Sequence, residues 1–260
     1  MTRPDAPTRS PWFPFRAKQG DAEIRLFCLP PAAGAASGYR SWTTRLAPRV
    51  EVVPVQLPGR ESRFVEDPLT SAGELVARLV DAVGPETGAR YAVFGHSMGA
   101  LLAYDLACAL AAAGRPPAHL VVSAHVPAHL MALKPRPTHV ARMSDEELRD
   151  YLAGNGGLAG ELLRDEEVLA ILLPLLRADL SVCESYRWTP RPPLEVPITA
   201  LGGEHDPNAP GALLRRWSEL TSAGFRCRLL PGGHHYLYDD PAAAAGAVSE
   251  TLLDPPEPSR

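Results

Sequence analysis

Cysteine is scarce in this chain of 260 residues, and none of it is paired in sequence. The four cysteines, Cys28, Cys108, Cys183 and Cys227, form no C-x-x-C unit, which argues against a disulfide framework. Cys28, Cys108 and Cys227 lie in apolar-rich segments and read as reduced, buried thiols. Positive charge is not in excess either: 26 Lys and Arg stand against 30 Asp and Glu, a formal net charge of −4. A general nucleic-acid binder would need a basic surface, so that class is set aside. Long apolar runs are also missing. No stretch approaches the ~18 residues of a membrane span, and the opening "MTRPDAPTRSPWF" has no apolar core of signal-peptide length. The expectation is a soluble, cytoplasmic protein that touches neither membrane nor nucleic acid, with monomer as the default.

What is present is an ordinary globular composition, 45% hydrophobic and 22% charged. It suits one α/β domain over residues 1–260 with a well-buried core. The first fifteen or so residues and the tail "DPPEPSR" are Pro-rich and polar, and are expected to be poorly ordered. Between them, short apolar runs alternate with helical patterns. Strands are predicted at Ile24–Pro30, Val50–Gly59, "YAVFG", His119–Ala124, Ile198–Gly203 and Phe225–Gly233. In "SAGELVARLVDAV", Leu75, Val76, Leu79, Val80 and Val83 recur at helical spacing. "MGALLAYDLACALAAAG" reads as a helix stopped at Gly114, and further helical patterns occupy Ala209–Ser222 and Ala242–Leu253. This alternation predicts a mostly parallel sheet flanked by helices.

From about Leu130 to Trp188 the rhythm breaks and no strand is predicted. Ser144 and Glu147 have capping-box spacing, so a helix begins there, to be ended by "GNGG". "DEEVLAILLPLLRADLSVCESY" is then a long Leu-rich helix that Pro174 should kink or divide. An all-helical insertion at roughly 130–190 between two strands reads as a lid. The alternative is that its leucines merely pack on the core.

The chemistry centres on Gly95-His96-Ser97-Met98-Gly99, a G-x-S-x-G between a predicted strand and a predicted helix. That setting is the one a nucleophile elbow requires. A serine hydroxyl needs a base to take its proton, and elbow enzymes supply an acid and then a histidine later in the chain. "ALGGEHDPNAP" follows one strand and carries Asp206, with Glu204 as a rival acid. "LLPGGHHYL" follows the next and carries His234 and His235, either of which could be the base. Both loops leave the same sheet edge as Ser97, where open α/β sheets bind ligands. His125, His129 and His139 fall near or inside the insertion and read as surface or chamber residues. His96 and His205 need no chemical role. A metal site built from His234, His235, Glu204 and Asp206 is disfavoured, because adjacent histidines on extended chain point apart. An oxyanion would be held by the Met98 N–H, the residue after the nucleophile. A second N–H is expected from the small-residue loop "LPPAAGAAS", with Ala32 and Ala33 as candidates.

Six segments together, "CLPPAAGAASGYRSW", "VQLPGRESR", "FGHSMGA", "LLPLLRADLSVCESY", "PITALGGEHDP" and "PGGHHYL", resemble the successive signatures of type II thioesterases, in family order over roughly Ile24 to Leu253. These are stand-alone editing hydrolases of polyketide and nonribosomal peptide synthesis. The resemblance implies an α/β-hydrolase fold with a helical lid. It implies hydrolysis of acyl groups from the phosphopantetheine arm of acyl or peptidyl carrier proteins, with no metal or bound cofactor of its own. It implies Ser97 as nucleophile, Asp206 as acid, His234 as base, and Ala32 with Met98 at the oxyanion. The chain departs from the family pattern in three places. Pro31 replaces the usual His or Tyr, Ala33-Gly34 replaces Gly-Gly, and His125-Val126 stand where basic residues are usual.

Overall fold

The computed structural model describes residues 10–16, 20–133, 142–154 and 165–253. His139, the tail after residue 253 and most of "GNGG" lie outside the described residues. Six strands, β1 (Ile24–Leu29), β2 (Val50–Pro54), β3 (Tyr91–His96), β4 (His119–Ser123), β5 (Ile198–Gly203) and β6 (Phe225–Leu230), form one sheet in the order β2-β1-β3-β4-β5-β6. Every adjacent pair is parallel. The β2 strand is shorter than its apolar run. After the Val55 N–H meets the Cys28 carbonyl, the Gln56 N–H turns to the Trp12 carbonyl and Gly59 enters the left-handed region at φ +82°.

Strand residues alternate between two cores, as the period of two requires. Phe27, Leu29, Tyr91, Val93, Leu120, Val122, Ile198 and Ala200 face one side. Leu26, Cys28, Ala92, Phe94, Val121 and Leu201 face the other. The first side is covered by α2 (Ala72–Val83) and α3 (Met98–Ala112), the second by α1 (Arg40–Arg45) and α8 (Pro241–Leu253). The α2 helix buries Leu75, Leu79 and Val83, and its Ser71 cap accepts from the Glu74 N–H. The α3 helix, apolar on nearly every side, ends in a Schellman motif. There the Arg115 N–H meets the Leu110 carbonyl, the Gly114 N–H meets the Ala111 carbonyl, and Gly114 takes φ +72°. The four cysteines are free.

Between β4 and β5 lie a 3₁₀ turn (Ala128–Leu133), α4 (Asp145–Gly154) and α5 (Glu166–Ser185), with no strand among the described residues. The capping box forms: the Ser144 N–H meets Glu147 Oε2 at 2.7 Å and the Glu147 N–H meets Ser144 Oγ at 3.2 Å. Of the two outcomes expected of Pro174, a kink or a division, division does not occur: α5 runs unbroken from Glu166 to Ser185. Pro174 sits on the exposed face, as does Ala170 one turn before, so the carbonyl left without an N–H faces water. Leu148, Leu169, Leu173 and Leu176 make a cluster of their own, whereas Val182 and Tyr186 at the end of the segment join the main core.

A correction concerns Ala209–Ser222. Only Gly211–Leu214 is α-helical (α6), followed by a 3₁₀ stretch, Arg215–Leu220. Leu194 takes over from the helix, pairing its N–H with the Leu220 carbonyl and its carbonyl with the Ser222 N–H. Among the described residues, no helix is long and apolar enough to cross a membrane.

His119, buried at the start of β4, hydrogen-bonds Thr199 at 2.9 Å. Burial, with the Arg226 and Arg90 charges, lowers its pKa to about 4. The unfolded chain, with His near 6.5, then binds more protons between those values, so stability falls as pH drops through that window. Between pH 7 and pH 5 this residue alone should cost roughly 2 kcal/mol. Denaturant melts at the two pH values are expected to show His119→Gln losing less stability than the parent by about that amount; equal losses would contradict the assignment.

Candidate active site

In a sheet of this order the direction of winding, and so the strand order, reverses between β1 and β3, and the crevice outside their carboxyl ends is the switch point. Ser97 stands there, between β3 and α3, at φ +53° and ψ −120°. That conformation is costly for a residue with a Cβ, about 1–3 kcal/mol. It persists because its neighbours fix it. The Ser97 N–H donates to the Ser123 carbonyl on β4 at 2.8 Å, and its carbonyl accepts from the Ala100 N–H. A side chain on Gly95 would overlap the Gly99 backbone, and one on Gly99 would overlap the Leu29 and Pro30 carbonyls. Both glycines of the motif are therefore steric requirements of the turn.

The loops after β5 and β6 are brought together by another glycine. A side chain on Gly203 would overlap the Gly232 and Gly233 carbonyls. The close approach lets the Glu204 N–H reach the Leu230 carbonyl and the His205 N–H the Gly232 carbonyl. These loops deliver Asp206 and His234. His234 Nδ1 lies 2.8 Å from Asp206 Oδ2, and Nε2 lies 3.0 Å from Ser97 Oγ. An ionised carboxylate only accepts, so Nδ1 carries the proton and Nε2 is free to accept the serine hydroxyl. Asp206 is nearly buried, at 4% exposure. Burial alone would raise its pKa, but His234 and the Asn208 and Ala209 amides outweigh that, and it lies below the ordinary carboxylate value.

The rivals are placed elsewhere. Glu204 and His205 are exposed. His235 caps the short helix α7 (Tyr236–Asp239) and packs its ring near His96 and Tyr238. His125 is buried against the Val126 carbonyl at 2.7 Å, and His129 meets Glu219 at 2.9 Å. Among the described residues, no group of three or more His, Cys, Asp or Glu side chains is arranged to hold a metal ion.

The two oxyanion candidates of the first loop are separated by their hydrogen bonds. The Gly34 N–H bonds back to the Pro31 carbonyl and Ala33 has φ +56°, a turn of type II pattern. The Ala33 N–H is taken by Asp179 Oδ2 at 2.7 Å, which leaves Ala32 as the candidate. Met98 begins α3, so its N–H has no acceptor within the helix.

A polar chain behind the site was not anticipated from sequence. His96 Nδ1 bonds Ser123 Oγ at 2.8 Å, and Ser123 Oγ bonds the Tyr236 hydroxyl at 2.7 Å. Burial holds the His96 pKa far below its ordinary value, aided by the nearby His234 and His235 charges. The neutral ring, 5.4 Å from that of His234, therefore does not oppose a positive charge there. The sequence signals were the place of His96 inside the serine motif and of Tyr236 in "PGGHHYL"; Ser123 gave none.

Residues 24–252 match the model of the thioesterase domain family. Gramicidin S biosynthesis protein GrsT of Aneurinibacillus migulanus is 37% identical over 229 residues, 88% of each chain. The RedJ thioesterase of the prodiginine pathway in Streptomyces coelicolor superposes with a TM-score of 0.82 at 39% identity, covering 94% of each chain. BorB, a type II thioesterase from the borrelidin cluster, superposes with a TM-score of 0.82 at 37% identity, covering 92% of this chain and 96% of its own. On this likeness of sequence and fold, the chain belongs to the thioesterase family, in the α/β-hydrolase superfamily.

Proposed function

We propose that this thioesterase hydrolyses acyl groups from the phosphopantetheine arm of acyl or peptidyl carrier proteins, clearing stalled or aberrant units in polyketide or nonribosomal peptide synthesis. The observation that carries the reading is the unbroken relay Ser97–His234–Asp206 at the switch point of the sheet. Ser97 Oγ attacks the thioester carbonyl while His234 Nε2 takes its proton. Asp206 holds the ring in the required tautomer and balances the imidazolium. The carbonyl electrons move onto oxygen, where the Met98 and Ala32 N–H groups would receive them, an effect typically worth ~3–4 kcal/mol per donor. Collapse expels the pantetheine thiolate, which with a thiol pKa of about 8.5 needs little help to leave; it takes the proton from the His234 imidazolium and departs as the thiol, so that the ring is again a neutral base. A water, deprotonated by His234, then attacks the acyl-serine, and the acid departs as Ser97 recovers its proton. The balance needs only water, so no cofactor is invoked; the arm belongs to the partner.

The insertion between β4 and β5 has the position of a lid. Its separate leucine cluster, which touches Ala33 of the oxyanion loop, suits a cover over the acyl chain. The names of the relatives, biosynthesis proteins and pathway thioesterases, support a carrier protein as partner.

The test offers three substrates: acyl-loaded carrier protein, the matching acyl-pantetheine thioester, and an ordinary ester. The loaded carrier is expected to give the highest kcat/KM, and Ser97→Ala to abolish it. Equal kcat/KM for carrier and free thioester would remove the carrier from the proposal, and preference for the ester would favour a small-ester hydrolase.

A further inference from the structure

Arg60, in the turn after β2, and Asp179, in the middle of α5, take no part in the relay. Their side chains are 4% and 1% exposed and meet as a two-pronged ion pair. Arg60 Nη1 donates to Asp179 Oδ2 and Nη2 to Oδ1, both at 2.8 Å. What remains of their bonding capacity goes largely to one short stretch of backbone. Asp179 Oδ2 accepts the Ala33 N–H at 2.7 Å, and Arg60 Nη1 donates to the Gly34 carbonyl at 3.1 Å. The Arg60 carbonyl in turn accepts from Gln56 Nε2, whose amide oxygen accepts the Ala36 N–H at 3.1 Å.

The loop after β1 is thus pinned at residues 33, 34 and 36 by side chains from two other parts of the chain. Pinning matters because Ala33 occupies the left-handed region at φ +56°, where a residue with a Cβ is strained. Without the carboxylate, the Ala32–Ala33 peptide can rotate towards a right-handed turn and carry the neighbouring Ala32 N–H off its line. A buried ion pair is a poor means of adding stability, since apolar residues of similar volume often serve as well. Its bonds go instead to the loop that carries the second oxyanion donor.

We propose that the Arg60–Asp179 pair positions the Ala32 N–H for the oxyanion and ties α5 of the helical insertion to the catalytic loop. This rests on the reading of Ser97 as nucleophile. Both are positioning residues, acting through the Ala33 and Gly34 backbone. The pair therefore supports the transition state and leaves ground-state binding alone.

The double variant Arg60→Met, Asp179→Leu removes both charges and keeps the volume apolar. Hydrolysis of an acyl-pantetheine thioester is measured together with inhibition by a trifluoromethyl ketone analogue, which forms an anionic adduct on serine. The expected result is a 10- to 100-fold fall in kcat at near-constant KM, with the ketone inhibition constant rising by the same factor. A folded double variant with unchanged kcat would overturn the proposal, as would a fall in kcat with unchanged ketone affinity. Should the double variant fail to fold, an amide-to-ester replacement at Ala33 removes only its N–H; the same paired losses are expected, and full activity would overturn the proposal. A failure of the nucleophile reading shows separately, as parental turnover that survives Ser97→Ala.

Discussion

Replacing Ser97 with alanine is expected to lower kcat for thioester hydrolysis by about 10⁴-fold or more while leaving KM close to the parental value. The reason lies in the division of labour at the site. Ser97 Oγ is the atom 3.0 Å from His234 Nε2, and without it the base has no nucleophile to activate. Losing one member of such a set can cost as much as losing all of it, with the remainder supplied by the oxyanion donors and by binding. The substitution is sterically safe, since alanine is smaller and the strained φ of +53° is set by the Gly95 and Gly99 contacts around it. Kinetics on acyl-pantetheine, with a thermal melt to show that the fold is kept, checks the expectation. A loss of only a few fold would mean that water is activated without the serine.

Asp206→Asn is expected to be nearly as damaging, lowering kcat by about 10⁴-fold. An asparagine keeps the shape and can still accept from the Asn208 N–H, as Asp206 Oδ1 does at 2.8 Å. It carries no charge to balance the imidazolium, and its NH₂ group can meet His234 Nδ1 as a donor. The ring then turns to the tautomer with the proton on Nε2, facing the serine hydroxyl with a donor where an acceptor is needed. Because the Asp206 pKa lies below the ordinary carboxylate value, the parental carboxylate is ionised throughout the neutral range. The defect should therefore persist at every pH between 6 and 8. His235→Phe is the matched control: the hydrogen bonds to Ser97 Oγ and Asp206 Oδ2 come from His234, while the His235 ring packs near His96 and Tyr238, so activity should stay within a few fold. A loss comparable to that of His234→Ala would exchange the two histidines.

The strands were legible because each combined an apolar run with a turn signal, and the helix α2 because its periodicity was clean. The relay was legible because its parts sit on local signatures at strand ends: glycines around a serine, an aspartate in the loop after β5, a Gly-Gly-His after β6. Pro174 does not divide α5 because the face it takes is wet, and a proline rule written for the helix interior ignores that face. The pattern at Ala209–Ser222 misled because its continuation depends on Leu194, a partner distant in sequence. Arg60 and Asp179 belonged to segments that stood out in the sequence, yet no spacing rule connects two side chains 119 positions apart. The pairing of Ser123 with Tyr236, 113 positions apart, was invisible for the same reason. What escaped was long-range polar pairing, which leaves no periodic trace.

The central claim is that the acyl group passes through Ser97, and one measurement addresses it directly. Replacing Ser97 with 2,3-diaminopropionic acid, a genetically encodable residue, puts an amine where the hydroxyl stood, so that the transient ester becomes a stable amide. Incubated with acyl-loaded carrier protein and examined by intact mass, the variant is expected to gain one acyl group per chain, mapped by peptide sequencing to position 97, with free carrier thiol released in equal amount. An acyl group on any other residue, or an unmodified chain under conditions where the parent turns the same carrier over, would contradict the account.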